Sequence, residues 1–159
     1  MNIEEIIKKA YKEGKIKDAS EAWKEFPPEE WHKGKIENVL NENIATYSPY
    51  EIGDIVFVKE YYYNASNKGE NHLFVIVYQD NIAVPIENFG MILSSKISKV
   101  KYKTNVLLPK DSYNNLNKDS IEKTDQLYKL DDKQILFRIG KVDKQKVEQY
   151  LNLYEKYNL

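Results

Sequence analysis

Few side chains in this sequence can move a proton near neutral pH. There is no cysteine, the only histidines are His32 and His72, and Arg138 is the one arginine among 24 basic residues. An imidazole exchanges protons in that range, so His72 can serve a substrate hydroxyl or a leaving oxygen. It can equally be a histidine at a strand start, bonded to Glu70 or to a backbone carbonyl. Further on, Ser94 and Ser95 can donate hydrogen bonds to an anion or simply satisfy a turn. Lys96, Lys99, Lys101 and Lys103 follow them. On a strand or loop several of these lysines share a face, which makes a basic rim for phosphates. Lysines so placed also protect an exposed edge strand from pairing. With one arginine, an anion site must use lysine charges, backbone N–H groups or histidine rather than a guanidinium fork. Disulfides and cysteine-ligated zinc are excluded, and two histidines make no obvious metal cluster. No metal and no cofactor are expected.

These residues need a scaffold. The charge balance, 24 basic against 25 acidic residues, implies no global field toward nucleic acid or membrane. The length suits one domain plus an extension. The N-terminus has no signal-peptide core and no apolar run is long enough for a membrane span, so a cytoplasmic protein is expected. Ile3, Ile6, Ile7, Ala10 and Tyr11 form a helical stripe, opened by Asn2 with Glu5 at capping-box spacing and stopped by Gly14. A second helix is expected over Ala19–Glu25, and a third over Glu29–Asn41 after Pro27–Pro28. After Pro49 the pattern turns to strands: Asp54–Lys59, Leu73–Tyr78, Asn81–Val84, Met91–Ser94, Asn105–Leu108 and Ser120–Leu130. Leu73–Tyr78 is apolar at nearly every position, as in a central strand covered on both faces. Tyr61, Tyr62 and Tyr63 fall in an expected loop, where they could stack on bases or pack against a partner subunit. Asp131–Gln134 reads as one helical turn, and Asp143 caps a last helix carrying Val147, Tyr150, Leu151, Tyr154 and Tyr157 on one stripe. The fold class is mainly β (α+β): a small curved antiparallel barrel with a C-terminal helix over 47–159, preceded by a helical extension over 1–46.

The Gly53–Asp54 opening, the spacing from it to the apolar strand, the segment MILSSKISKVKYKTNV and the segment NNLNKDSIEKTDQLYKLDDKQILFRIGKV occur in an order similar to the MazF/PemK family of toxin ribonucleases. The resemblance runs from Tyr50 to Tyr157. It implies an SH3-like barrel of the MazF/PemK/CcdB type, a homodimer, an antitoxin partner and growth inhibition. It also implies metal-independent cleavage of single-stranded RNA, in which the 2′-hydroxyl attacks the adjacent phosphate. The family loop ends in Gly-x-x-Arg-Pro, with the arginine in catalysis, whereas this chain has Gly69, Glu70, Asn71, His72 and Leu73. The family arginine thus falls on His72, its threonine on Ser94, and a second arginine on Gln134, which stabilises a phosphate dianion poorly. On this resemblance His72 and Ser94 are the catalytic candidates. Lys68, Asn71, Ser95, Lys96, Lys99, Lys101 and Gln134 are the RNA-binding ones.

The extension adds one more feature. Asp18, Glu21, Glu25, Glu29 and Glu30 are interleaved with Trp23, Phe26 and Trp31. The family's antitoxins place an acidic, aromatic-bearing tail in the toxin's RNA groove, and this composition is similar. A helical cap that buries the tryptophans against the barrel fits the same residues. Two functions stay open: a toxin-type endoribonuclease, altered or restrained by its own N-terminus, and a non-catalytic relative that binds nucleic acid or a protein partner. The lost arginine favours the second; the groove lysines keep the first.

Overall fold

The computed structural model describes residues 2–20, 48–63, 67–80 and 86–159. The first helix, α1 (Ile3–Lys12), is built as its sequence predicts. The Asn2 side chain accepts from the Glu5 amide at 2.9 Å, and Ile6, Ile7 and Ala10 are buried. Gly14 takes a left-handed φ of 69°, which turns the chain into strand β1 (Ile16–Asp18).

The strands that follow are β2 (Asp54–Tyr62), β3 (Lys68–Asp80), β4 (Glu87–Ser94), β5 (Asn105–Leu108), β6 (Ser120–Lys123), β7 (Leu127–Leu130) and β8 (Ile135–Lys141). The last element is α2 (Lys144–Asn158), whose cap Asp143 accepts from the Lys146 amide. The strands form one sheet in the order β1-β7-β4-β3-β2-β8, with β6 also paired to β4 and β5 paired to β6. All pairs are antiparallel except β1 with β7. Register shifts in the β2–β8 and β3–β4 pairings mark bulges in β8 and β3 that sharpen the curl of the sheet into a small barrel. Gly53 opens β2 at a φ of 96°, and a Cβ there would lie 2.6 Å from the Val142 carbonyl oxygen. No other residue type fits that approach.

The sheet has an apolar cluster on each face. On one side Val75, Val77, Met91 and Leu93 meet α1 and α2 through Ile6, Val147, Tyr150 and Tyr154. On the other, Phe74, Ile76, Val56, Val58 and Ile92 meet Tyr61, Tyr128 and Ala19. The central β3 is apolar at consecutive positions because it serves both clusters. Among the described residues no helix is long and apolar enough to cross a membrane.

Several expectations change in detail. Tyr61 and Tyr62 belong to β2 rather than to a loop, and Tyr61 is only 5 % exposed, so it offers no face to a base. The single strand expected over Ser120–Leu130 is split: the Thr124 amide and hydroxyl both turn to the Thr104 carbonyl, and β4 pairs with β6 at one end and β7 at the other. Of the two settings open to the lysines after Ser95, strand or loop, the structure takes the second: Lys99 and Lys101 lie on a 3₁₀ turn (Ile97–Lys101), with Lys96 just before it and Lys103 just after. Ala19 and Ser20 are not helical, because the Ala19 backbone bonds to Lys129 and Tyr62 instead. The remainder of that expected helix, the third helix, the strand over 81–84 and the residues Trp23, Phe26 and Trp31 lie outside the described residues.

Candidate functional site

His72 sits on β3 opposite Val58 of β2. Leu73 pairs with Leu93 of β4, and Ser94 of β4 pairs with Ile121 of β6. Side chains alternate along a strand, so residues one step beyond the Leu73–Leu93 pair point to the opposite face from it. His72, Ser94 and Lys123 therefore share a face at one end of the sheet. The two catalytic candidates, far apart in sequence, are brought to one rim by strand register.

The Tyr61 hydroxyl lies against the imidazole. The Tyr61 hydroxyl and His72 Nδ1 are 3.1 Å apart, and the two rings meet edge to face with centroids 5.6 Å apart. Tyr61 also packs edge-on against Phe74 and Tyr128. Strict alternation from Val58 would send Tyr61 to the other face. The β2–β3 ladder skips the step between Val58–His72 and Glu60–Glu70, where Asn71 adopts a left-handed φ of 53° that asparagine tolerates. Past this kink Tyr61 comes down on the His72 side. Gly69 lies opposite it, and a Cβ at Gly69 would be 2.2 Å from Tyr61 Cζ. Only the missing side chain lets the phenol cross β3 there.

Burial pushes the His72 pKa below the usual imidazole range, and the nearby Lys123 ammonium pushes the same way; the Glu70 backbone carbonyl partly opposes them. His72 is thus neutral at physiological pH and able to accept a proton. Burial also raises the Tyr61 phenol, which stays protonated.

The other candidates spread around this rim. The Ser94 hydroxyl accepts from the Lys96 amide at 3.2 Å, which orients the turn into the 3₁₀ segment. Asn105 pins that segment by donating to the Lys99 carbonyl at 2.9 Å, and Ser95, Lys96, Lys99 and Lys101 are partly or fully solvent-facing. Lys68 opens β3, 3.7 Å from the Glu60 carboxylate and over the Tyr62 ring. Gln134 lies elsewhere, with β2 between it and His72. Its amide donates to the Ala19 and Glu60 carbonyls and accepts from the Asp131 amide, so it ties three segments together. Arg138, on β8, reaches back to the buried Asp54 carboxylate at 3.5 Å, toward the start of β2 and away from His72. Two neighbours of His72 escaped sequence reasoning. Lys123 is legible only once Glu122 is known to face the core, and Tyr61 only once the kink at Asn71 is known.

No curated protein matches this chain. A family model does: PemK-like, MazF-like toxin of type II toxin-antitoxin system, over residues 51–153, about two thirds of the chain. The match spans every strand from β2 onward and most of α2, including His72, Ser94 and Lys123. This protein therefore belongs to the PemK-like, MazF-like toxin family of type II toxin–antitoxin systems.

Proposed function

We propose that this toxin-family protein is a metal-independent endoribonuclease acting on single-stranded RNA. The observation that carries the proposal is the shared face of a neutral His72, the Ser94 hydroxyl and the Lys123 ammonium. In the reaction, the 2′-oxygen bonds phosphorus and loses its proton to His72 while the P–O5′ bond breaks. The departing 5′-oxygen is protonated by water, and the product ends in a 2′,3′-cyclic phosphate and a new 5′-hydroxyl. Ser94 donates to a non-bridging oxygen, and Lys123 with the lysines of the 3₁₀ turn offsets the developing charge. Lys68, Asn71 and Ser95 flank the RNA path, and Gln134 acts by holding β2 rather than by touching phosphate. The test is cleavage of a mixed-sequence RNA in chelator, with cyclic phosphate as the readout. Activity in the wild type and loss in His72→Ala support the proposal; unchanged cleavage in His72→Ala removes the imidazole from turnover.

A second reading has its own support. The one arginine is engaged with Asp54, so no guanidinium reaches the rim. On that reading the barrel binds nucleic acid or a protein partner without cleaving. RNA binding with no cleavage at any pH would decide for it.

The proposed assembly is a cytoplasmic homodimer with an antitoxin partner. Phe57 and Phe137 stack at 5.1 Å on β8 and its neighbour, and Leu136 and Phe137 are 52 % and 50 % exposed at that sheet edge. A monomer for Phe137→Asp beside a wild-type dimer in light scattering supports this surface. The antitoxin, or the chain's own acidic stretch with Trp23, Phe26 and Trp31, is the proposed competitor of RNA. Trp23→Ala with Trp31→Ala should then raise RNA affinity. Removing residues 1–46 is a poorer test, because α1 and β1 are built into the core and the sheet.

A further inference from the structure

Ala19 joins two strands that the sheet order keeps apart. Its amide donates to the Lys129 carbonyl of β7 at 3.0 Å, and its carbonyl accepts from the Tyr62 amide of β2 at 3.3 Å. In the sheet β4 and β3 lie between β7 and β2, so the curl closes at this residue. The Gln134 side-chain amide donates to the same Ala19 carbonyl and to the Glu60 carbonyl of β2. Tyr61, whose hydroxyl is 3.1 Å from His72 Nδ1, sits between the two pinned residues. We propose that the strap Ile16–Ala19 and Gln134 position His72: they fix the end of β2 and so hold Tyr61 as a wall against the imidazole. The family match begins at residue 51, so a part of the chain outside the match completes this wall. Any effect on turnover rests on the ribonuclease proposal; the positioning of the ring does not.

The end of β2 needs such a hold. Its pairing with β8 runs from Asp54 to Val58 and stops there. Beyond that point one edge of β2 has no strand beside it, and its backbone groups need other partners. Gln134 takes the Glu60 carbonyl and Ala19 takes the Tyr62 amide. The strap also reaches Tyr61 through side chains. Ala19 has no exposure and belongs to the cluster that contains Tyr61, Phe74 and Tyr128. Lys17 pairs with Tyr128 and places its ammonium 5.9 Å from that ring, which meets Tyr61 edge to face at 5.8 Å. The strap is itself anchored: the Asp18 carboxylate accepts from the Ser20 amide at 2.9 Å and lies 3.6 Å from the Lys129 ammonium. Burial is the largest influence on the His72 pKa, and the Tyr61 ring is in contact with the imidazole. Freeing the end of β2 therefore lets water reach the ring.

The experiment reads the strand and the ring separately. In a His32→Gln background His72 is the only histidine, and NMR follows its titration. Gln134→Met keeps the bulk of the side chain, removes both donor bonds and changes no charge. Exchange of the Tyr62 amide with solvent should quicken by roughly two- to tenfold, the worth of one net hydrogen bond. The His72 midpoint should rise toward 6.5. Among the described residues Lys123 of β6 is the charged side chain acting on His72, and it is untouched, so the rise reads hydration. Unchanged protection of the Val75 and Val77 amides in β3 shows that the fold is intact. Gln134→Glu keeps the acceptor for the Asp131 amide but sets a carboxylate against two carbonyls. It should quicken Tyr62 exchange as much, which assigns the effect to the strap contact rather than to the turn. In cleavage assays Gln134→Met should lower kcat by a similar factor with KM nearly constant. A His72 midpoint unaltered in Gln134→Met, or Tyr62 exchange unaltered in Gln134→Glu, overturns the positioning role. If both move as expected while the wild type leaves RNA intact, the positioning stands and the ribonuclease reading falls.

Discussion

His72 and Glu122 lie on opposite faces of the sheet, and the two faces treat them differently. On the Tyr61 side, His72 is half-buried and finds a hydroxyl. On the α2 side, Glu122 of β6 pairs across to Leu93 and Val106, has 0 % exposure, and neither carboxylate oxygen has a hydrogen-bond partner among the described residues. Burial drives both groups toward their neutral forms: it lowers the His72 pKa and raises that of Glu122 well above the carboxylate range. Among the described residues no charged group offsets the shift at Glu122, for which desolvation is the one cause; burial, and after it Glu122, pushes the Tyr150 phenol of α2 upward. A neutral histidine with a partner is useful chemistry. A neutral carboxylic acid without one is a cost to the fold. On the proposed ribonuclease reading, partial burial of His72 supports the chemistry, whereas full burial of Glu122 only subtracts stability.

The sharpest separation of the two faces is in turnover. His72→Ala should lower RNA cleavage by about 10²–10⁴-fold, the range for a lost general base, while urea denaturation shows a far smaller change. Comparable loss in both assays would mean that His72 is a packing residue like its neighbours.

Glu122→Leu should do the reverse, raising stability by about 1–3 kcal/mol near neutral pH and leaving cleavage alone. The pH profile sharpens this. Glu122 has a folded pKa raised above its unfolded value of 4.5, so its contribution is most favourable below that pH and is lost as pH rises toward the raised value. His72 has a folded pKa lowered from 6.5, so stability is lost as pH falls below that value. Stability measured from pH 4.5 to 8 should lose its alkaline decline in Glu122→Leu and its acid decline in His72→Gln. A Glu122→Leu profile parallel to wild type would show that the carboxyl has found a partner.

Smaller effects belong to the rim. Ser94→Ala should weaken cleavage by roughly tenfold, about the worth of one hydrogen bond to a charged group, with folding intact. Replacing Lys96, Lys99 and Lys101 with Ala should leave catalysis of bound RNA unchanged. It should reduce the slope of log affinity against log salt by about 0.7 for each phosphate deprived of its lysine, read by fluorescence anisotropy on a single-stranded oligonucleotide. An unaltered slope would return these lysines to the role of solvated turn residues.

Much of the scaffold was legible because local rules and tertiary packing agree there. Asn2 and Asp143 cap the helices predicted for them, and Asp131 opens the turn expected over Asp131–Gln134, in a full capping box. The apolar run in β3 means what such runs usually mean. What stayed hidden depends on long-range choices. The pattern Ser-Ile-Glu-Lys-Thr-Asp-Gln reads as a half-exposed strand, and nothing local says that Glu122 faces the core while Lys123 faces His72. Three consecutive tyrosines read as a loop until Gly69 is placed opposite Tyr61. His72 and Ser94 were found through the family pattern, but the sequence alone could not put them on one face; the ladder between β3 and β4 did.

The parallel pairing of β1 with β7 also sets an order of events during synthesis. Gln126 donates to the Lys15 carbonyl across 111 residues of chain, and Ile16 pairs with Leu127 beside it. The N-terminal helix and strand leave the ribosome well before their partner strand, which follows 111 residues later. Closing so large a loop is slow, and contacts of this range delay folding relative to local ones. Ile6, Ile7 and Ala10 must therefore wait in an unfinished chain, with their apolar stripe uncovered, until the last strands and α2 arrive. A translation product that stops before β7 has no way to seat its own beginning.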